Sequence, residues 1–194
     1  SFNHDEVEFD VEKMSKKFKL SALQRGGARF DYEKAKSINQ KILSKKDSSL
    51  LISEYPKVFE GLIKATGNNA FGVVDLIKTR VSLLTDFQKE LNPFVQDPNE
   101  YDMGAIKNIL KSVGFNDLNI LGENIQLSKT NSIKESIYKD SQIKGVNFGK
   151  LMQFLRISLV GDLSGPDVFF IIKIVGKDVT LRRLNSLLEK IQKQ

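Results

Sequence analysis

The sequence predicts an all-α fold made of two consecutive helical subdomains. Apolar residues recur at helical spacing along most of the 194 residues, and the clearest stripe consists of Phe148, Leu151, Leu155 and Leu159. Glycine and proline stand where these stripes end. Residues 92–99 contain two prolines and are predicted to be a linker. We therefore divide the chain into a lead-in over 1–25, a first subdomain over 26–97 and a second over 98–194.

The first subdomain is predicted to contain three helices after a short one at residues 11–18. Asp31 is a suitable N-cap for a helix that reaches about Lys45. Residues 49–66 continue as helix with a break at Pro56, and Gly67 ends it. Asn68 or Asn69 then caps a helix whose apolar stripe contains Val73, Leu76, Ile77 and Val81.

The second subdomain is predicted to contain helices at about 100–113, 130–140, 148–160, 166–175 and 178–190. Pro166 fits the first turn of a helix, since its missing N–H would be unpaired there. Residues 168–175 are rich in β-branched and aromatic types and are also compatible with a strand. The proline before them and the glycine after them favour a short buried helix.

Composition excludes several kinds of chemistry. The chain contains no cysteine and a single histidine, His4, which excludes disulfides, thiol nucleophiles and multi-histidine metal sites. The composition therefore predicts no cysteine-based or multi-histidine catalytic or metal site in this chain. No apolar run approaches the roughly 20 residues that a membrane-spanning helix needs.

The net charge of +6 is concentrated in two regions. Residues 13–46 carry 11 basic and 2 acidic side chains, and a second basic region covers 144–193. Basic surfaces of this kind attract phosphate backbones. A merely solvated lysine-rich surface is the alternative.

Two groups of motifs carry a more specific signal. Residues 26–34 read GGARFDYEK, a glycine-rich turn into a capped basic helix. Residues 155–161 read LRISLVG and are followed by SGPDVF at 164–169, GK at 176–177 and TLRRL at 180–184. In order and spacing these motifs resemble the region downstream of the catalytic domain in bacterial and organellar glutamyl-tRNA synthetases.

This resemblance covers nearly the whole chain and implies a fold and a function. It implies two helical subdomains that form a cage around the anticodon loop, in the C-terminal portion of a class I glutamate–tRNA ligase. The full enzyme would use ATP and Mg²⁺ to attach glutamate to tRNA, whereas this portion would bind tRNA and would have no catalytic residue, metal site or cofactor of its own. The partner would be glutamate tRNA, with glutamine tRNA as a further candidate. The resemblance also implies a cytoplasmic protein, and nothing in the sequence demands more than a monomer.

The same resemblance implies particular contacts to the anticodon. Arg156 and Arg80 would each meet an anticodon base, since a guanidinium can bond a base edge with two donors or stack on its face. Gly165, Pro166 and Val168 would touch the last anticodon bases at the start of a helix. An arginine at position 80 goes with strict selection of glutamate tRNA in this family, and a glutamine there goes with acceptance of glutamine tRNA.

Weaker expectations concern the tRNA backbone. These residues are Lys34, Lys36, Lys41, Arg182 and Arg183. The two arginines are equally compatible with pairing to acidic neighbours. Lys13–Lys16 spell KMSK, a synthetase signature, but Met14 also falls on an apolar helical stripe with Val11 and Phe18, and the family's own signature lies upstream of the glycine-rich turn.

A function of another class remains open on the sequence alone. The basic regions would also suit a stand-alone helical protein-interaction module that meets an acidic protein. Retention of tRNA by the chain distinguishes the two interpretations.

Overall fold

The predicted all-α fold is confirmed. The structure, a computed structural model, describes residues 30–193 together with Glu12, Ser15, Lys16, Phe18 and Lys19. Over 30–193 it contains helices and turns and no strand. The predicted helix at 11–18 lies mostly outside the described residues, and the turn at Gly26-Gly27 lies wholly outside them. The α-helices are α1 (Tyr32–Lys45), α2 (Ser48–Glu54), α3 (Pro56–Thr66), α4 (Ala70–Ile77), α5 (Asp86–Val95), α6 (Met103–Leu110), α7 (Asn119–Leu127), α8 (Ile133–Ile143), α9 (Phe148–Val160), α10 (Val168–Val175) and α11 (Lys177–Gln192).

Several predicted helix ends are confirmed. The Asp31 carboxylate accepts a hydrogen bond from the backbone N–H of Lys34 at 3.0 Å and so caps α1. Pro56 is the first residue of α3, which ends at Gly67 with a φ of 55°. Gly161 ends α9 in the left-handed conformation. Residues 168–175 form a helix and not a strand, which confirms the prediction from the flanking proline and glycine.

The predicted position of Pro166 is wrong. The helix α10 begins at Val168, and Asp167 is its N-cap, accepting a hydrogen bond from the Phe170 N–H at 2.8 Å. The Asp167 carboxylate satisfies a free backbone N–H of the first turn and makes Asp167 the N-cap, so Pro166 precedes the helix. Pro166 is thus part of the turn that leads into α10 and not of the helix itself.

The connection between the halves begins later than the predicted linker at residues 92–99, because α5 continues through Pro93 to Val95. Leu91 and Phe94 are buried on either side of this proline. A proline inside a helix costs about 3 kcal/mol, whereas burial of two large apolar side chains contributes about 1.5–3 kcal/mol each. Burial therefore outweighs the missing hydrogen bond, and only residues 96–102 connect α5 to α6.

The two halves of the chain share one apolar core. Phe59 of α3 packs edge-to-face on Phe87 of α5, with ring centroids 5.1 Å apart. Phe94, near the end of α5, packs in the same way on Phe170 of α10 at 6.0 Å. The buried side chains form one cluster from Leu43 to Leu187. The division into subdomains at residue 97 remains a proposal, and the halves on either side of it are in direct contact.

The end of α9 lies against the loop that connects the halves. The backbone N–H of Asp102 donates to the Gly161 carbonyl at 2.8 Å. A Cβ atom at Gly161 would lie 2.4 Å from the Glu100 carbonyl oxygen, and its φ of 90° disfavours other residues. Glycine thus allows α9 and the connecting loop to approach closely. Among the described residues no helix is long and apolar enough to cross a membrane.

Candidate nucleic-acid interface

A groove of about 660 Å³ lies where the two halves meet. One wall is the C-terminal half of α5, and the connecting loop 96–102 continues it. The other wall is the end of α9 with the turn 161–166. The groove thus brings together the predicted Gly165 and Pro166 with side chains from the first half of the chain.

Arg156 holds the turn that forms one wall. It lies on α9 and is partly buried. Its Nη1 donates to the carbonyl of Gly165 at 3.0 Å and to that of Pro166 at 2.6 Å. Charge-assisted bonds to two successive carbonyls fix the course of this turn. No bond from Nε or Nη2 to any described residue is found, so these donors remain for a ligand.

The turn itself is built for close packing. Gly165 has a φ of 154°, and a Cβ atom there would lie 2.9 Å from Cγ1 of Val160. Pro166 is buried, and Val168 is 3% exposed. The side chains of Pro166 and Val168 are therefore packed in the interior, and Gly165 and Pro166 line the groove.

Arg80 reaches the groove through an acidic partner. It lies in the turn after α4, and its Nε donates to Oε2 of Glu90 at 2.8 Å. Glu90 lies on α5 and lines the groove. The side chain of Arg80 is 38% exposed, and that of Glu90 is 20% exposed. The ion pair places the guanidinium beside the groove wall opposite the turn that Arg156 holds.

Arg183 is an interior residue that joins the two walls. It is 3% exposed. It donates to the backbone carbonyls of Pro93 (2.7 Å), Gln96 (2.8 Å) and Leu159 (3.3 Å). Its Nε also donates to the Asp97 carboxylate at 2.9 Å. These bonds tie α11 to the end of α5 and to the end of α9, so Arg183 is left out of the tRNA surface proposed below.

Arg182 shares the same carboxylate from the solvent side. Its two terminal nitrogens bond both oxygens of Asp97, and its side chain is 59% exposed. Pairing with an acidic neighbour, the alternative that the sequence left open, is thus what both arginines do. The Arg182 and Arg183 guanidinium groups hold the pKa of the Asp97 carboxyl below its ordinary value of 3.8, against the opposing effect of burial.

The predicted lysines lie apart from this groove, on α1. Lys34, Lys36 and Lys41 are all exposed. Lys36 pairs with Glu33 at 3.4 Å on the same helix. Lys34 and Lys41 are seven residues apart and share a face of α1. None of the three lysines lines the groove, although Gln40 and Asn39 of the same helix donate to the backbone carbonyls of Thr79 and Ser82, on either side of Arg80.

The groove is acidic and suits the base edges of a nucleic acid better than its phosphates. Its lining includes one lysine and five carboxylates, of which two pair with arginines as described above. Carboxylates accept hydrogen bonds from exocyclic amino groups and repel phosphates. The lining carboxylates belong to Glu90, Asp97, Glu100, Asp102 and Asp162. Among the described residues there is no group of three or more acidic, histidine or cysteine side chains that could hold a metal.

Sequence reasoning missed Glu90 and Asp97. Each organises an arginine that the motifs had singled out, but Glu90 is ten residues from Arg80, and Asp97 is more than eighty from Arg183. No local pattern links residues at such separations. The one available hint was the excess of acidic side chains near the predicted linker.

Acid is expected to weaken the contact that Asp97 makes. Because its pKa is lowered in the folded state, its contribution to the free energy of unfolding is complete above the ordinary value of 3.8 and is lost as the pH falls through the lower folded value. We expect Asp97→Asn to lose less stability than wild type between about pH 4 and pH 2, as measured by urea unfolding at each pH. Glu135→Gln removes another ion-paired carboxylate whose pKa is lowered, on α8, but its side chain is 67% exposed, so a smaller change of the same sign is expected. Parallel pH profiles of the unfolding free energy for wild type and Asp97→Asn would contradict the lowered pKa of Asp97.

Fold and site together define an all-helical domain with a polar groove, in which Arg80 binds the lining residue Glu90 and Arg156 binds the lining residues Gly165 and Pro166 from outside the lining. The family model described as "Anticodon binding domain" matches residues 53–188. The chain belongs to this anticodon-binding domain family. The matched range includes Arg80, Arg156 and the turn 161–166, and it excludes α1 with its lysines.

Sequence relatives are similar along nearly the whole chain. The chain is 32% identical over 192 residues to a glutamate–tRNA ligase of Christiangramia forsetii, a match that covers 97% of this chain and 38% of the relative. It is 31% identical over 191 residues to a glutamate–tRNA ligase of Flavobacterium johnsoniae, covering 96% and 38%. The chain thus spans about 38% of the length of these relatives.

Solved structures show the same fold. A glutamate tRNA ligase from Elizabethkingia meningosepticum, solved in complex with its amino acid, superposes with a TM-score of 0.78 at 33% identity and covers 92% of this chain and 36% of that one. The glutamate-tRNA synthetase of Elizabethkingia anophelis gives a TM-score of 0.76 at 32% identity, with the same shares covered. The resemblance to glutamyl-tRNA synthetases that the motifs indicated is confirmed.

Proposed function

We propose that this chain is the tRNA-binding, anticodon-recognising C-terminal portion of a glutamate–tRNA ligase. The family match over residues 53–188 carries this proposal, and the matched range contains Arg80 and Arg156. The relatives' shared name and the order of the sequence motifs support it. Single-stranded loop bases are recognised through their exposed edges and by stacking, and the polar groove, with two arginines bound to its lining residues, suits such bases.

The proposed division of labour separates recognition from chemistry. The complete ligase attaches glutamate to tRNA with ATP and Mg²⁺, which bind in a part of the enzyme beyond this chain. In this chain Arg156 and Arg80 bind anticodon bases, and the backbone of the turn at Gly165 and Pro166 approaches the last of them. Lys34, Lys36 and Lys41 attract the phosphate backbone. We propose a monomer that acts in the cytoplasm.

Arg80 is proposed to select glutamate tRNA strictly. By the genetic code the glutamate and glutamine anticodons differ in their third base, which is cytosine in the first and guanine in the second. Cytosine presents two adjacent acceptors, O2 and N3, whereas the pairing edge of guanine presents N–H donors in those places. The two terminal nitrogens of Arg80 are donors only and match the cytosine edge.

Charging assays with the complete ligase test this selection. We expect efficient attachment of glutamate to glutamate tRNA and little attachment to glutamine tRNA. The Arg80→Gln variant is expected to charge both. Efficient glutamylation of glutamine tRNA by the wild-type enzyme would contradict strict selection without contradicting tRNA binding.

A filter-binding titration of the 194-residue chain tests the proposed function as a whole. We expect glutamate tRNA to be retained in a salt-sensitive manner, and anticodon substitutions to weaken the binding. Retention that does not depend on the anticodon would indicate nonspecific binding of tRNA by a basic surface and would contradict anticodon recognition. No retention at all would favour a protein-interaction module instead.

A further inference from the structure

We propose that Glu90 is the positioning residue for Arg80, and that its carboxylate leaves the two terminal nitrogens of that arginine presented to the anticodon. This inference rests on the proposed function. It assigns the acidic partner, which neither the motifs nor the family match identifies, a role in selecting the third anticodon base. Glu90 acts through Arg80 and is not itself a base contact.

The backbone on both sides of this ion pair is fixed. The N–H of Arg80 donates to the Ile77 carbonyl at 2.8 Å, which closes the turn after α4. The Asp86 carboxylate accepts from the N–H groups of Ser82 (3.2 Å) and Leu83 (2.8 Å) at the start of α5. Glu90 therefore stands at a set distance from Arg80, and the two side chains meet at 2.8 Å without a change of backbone.

The contact uses one particular edge of the guanidinium. Glu90 accepts from Nε. No bond from Nη1 or Nη2 to a described residue is found. An arginine bound at Nε cannot turn its side edge to a base, so it presents the parallel donors of its terminal nitrogens. That edge fits the two adjacent acceptors of cytosine, O2 and N3.

Charge alone makes the opposite prediction. A carboxylate beside a polyanion weakens binding, so its removal is expected to strengthen binding of every tRNA alike. A positioning role instead predicts that removal of Glu90 lowers discrimination between tRNAs that differ only in the third base. Loss of charge repulsion changes the affinity for both tRNAs equally, whereas loss of positioning changes the ratio of the two affinities.

The experiment measures dissociation constants of the 194-residue chain for two tRNAs that differ only in the third anticodon base, cytosine or guanine. We expect Glu90→Ala to reduce the ratio of the two constants by about tenfold, which corresponds to one charge-assisted hydrogen bond. Glu90→Gln keeps an oxygen acceptor for Nε and is expected to restore most of the ratio. In an Arg80→Lys background, Glu90→Ala is expected to leave the ratio unchanged.

Glu54→Ala is the matched control, because it also removes a partly exposed, ion-paired carboxylate, whose partner is Lys46, but lies outside the groove lining. Its ratio is expected to equal that of wild type. An unchanged ratio in Glu90→Ala, or equal tightening of both tRNAs, would overturn the positioning role. A wild-type chain that retains neither tRNA would instead overturn the proposed function. Equal urea midpoints for the Glu90 and Glu54 variants are expected if both remain folded.

Discussion

Replacement of Arg183 by alanine is expected to lower the free energy of unfolding by about 3 kcal/mol, the low end of the range for breaking a buried ion pair. The guanidinium is 3% exposed and satisfies three backbone carbonyls as well as Asp97. Its removal leaves the carbonyls of Pro93, Gln96 and Leu159 without their donor. The low end applies because the Asp97 side chain is 44% exposed and can be solvated. Urea unfolding at neutral pH measures the change.

Arg182→Ala is the control for this variant. It removes the neighbouring arginine from the same carboxylate, but its side chain is 59% exposed. An exposed ion pair contributes about 0–1 kcal/mol, so the urea midpoint is expected to move little. Equal losses from the two variants would show that the buried bonds of Arg183 do not stabilise the fold. A lysine at position 183 is expected to recover only part of the loss, because it cannot donate in four directions.

Replacement of Arg156 by alanine is expected to weaken binding of glutamate tRNA by about 1–3 kcal/mol, the usual cost of a lost base contact. Two effects contribute. The variant loses the donors proposed to meet an anticodon base, and it also releases the turn, since Nη1 no longer holds the carbonyls of Gly165 and Pro166. We expect the loss to be larger for the correct anticodon than for an altered one. Filter binding with both tRNAs measures it.

Lys150→Ala is the control for Arg156→Ala, because it removes a partly exposed positive charge from the same helix. Its effect is expected to be equal for all anticodons and to fade at high salt. Arg156→Lys keeps the charge but loses the planar group, and it is expected to resemble the alanine variant in its discrimination. An unchanged dissociation constant for Arg156→Ala would count against the assignment of this groove to the anticodon.

The helices could be predicted because their signals are local. The Asp31 side chain caps α1 by accepting from the N–H of Lys34, three residues further along the chain. Gly161, with its positive φ, ends α9. Such effects depend on residues within one turn of each other. The prediction failed at Pro93, where the local rule favours a break but the neighbouring Leu91 and Phe94 are buried by other helices. A local pattern cannot weigh a contact made by a distant element.

The candidate site was only partly predictable for the same reason. Motif order singled out Arg156 and the turn at Gly165 and Pro166, and the structure joins them through two hydrogen bonds. The adjacent arginines at 182 and 183 could not be assigned different roles from the sequence. In the structure one is buried between helices and the other lies on the surface. Helical spacing by itself places successive residues on different faces, but it does not say which face is covered.

The sequence did not predict α5 or α7, but by itself it determined the all-helical fold, several helix ends, the absence of cysteine and multi-histidine chemistry, and the family. These follow from periodicity, caps, composition and motif order, which are properties of the linear sequence. Only the tertiary structure decided that the Arg183 guanidinium is buried between helices, whereas Arg80 and Arg156 keep guanidinium nitrogens that bond no described residue. The reason is physical: Glu90 and Asp97 define those roles by contacts within about 3 Å, whereas the chain separates Asp97 from Arg183 by 86 positions.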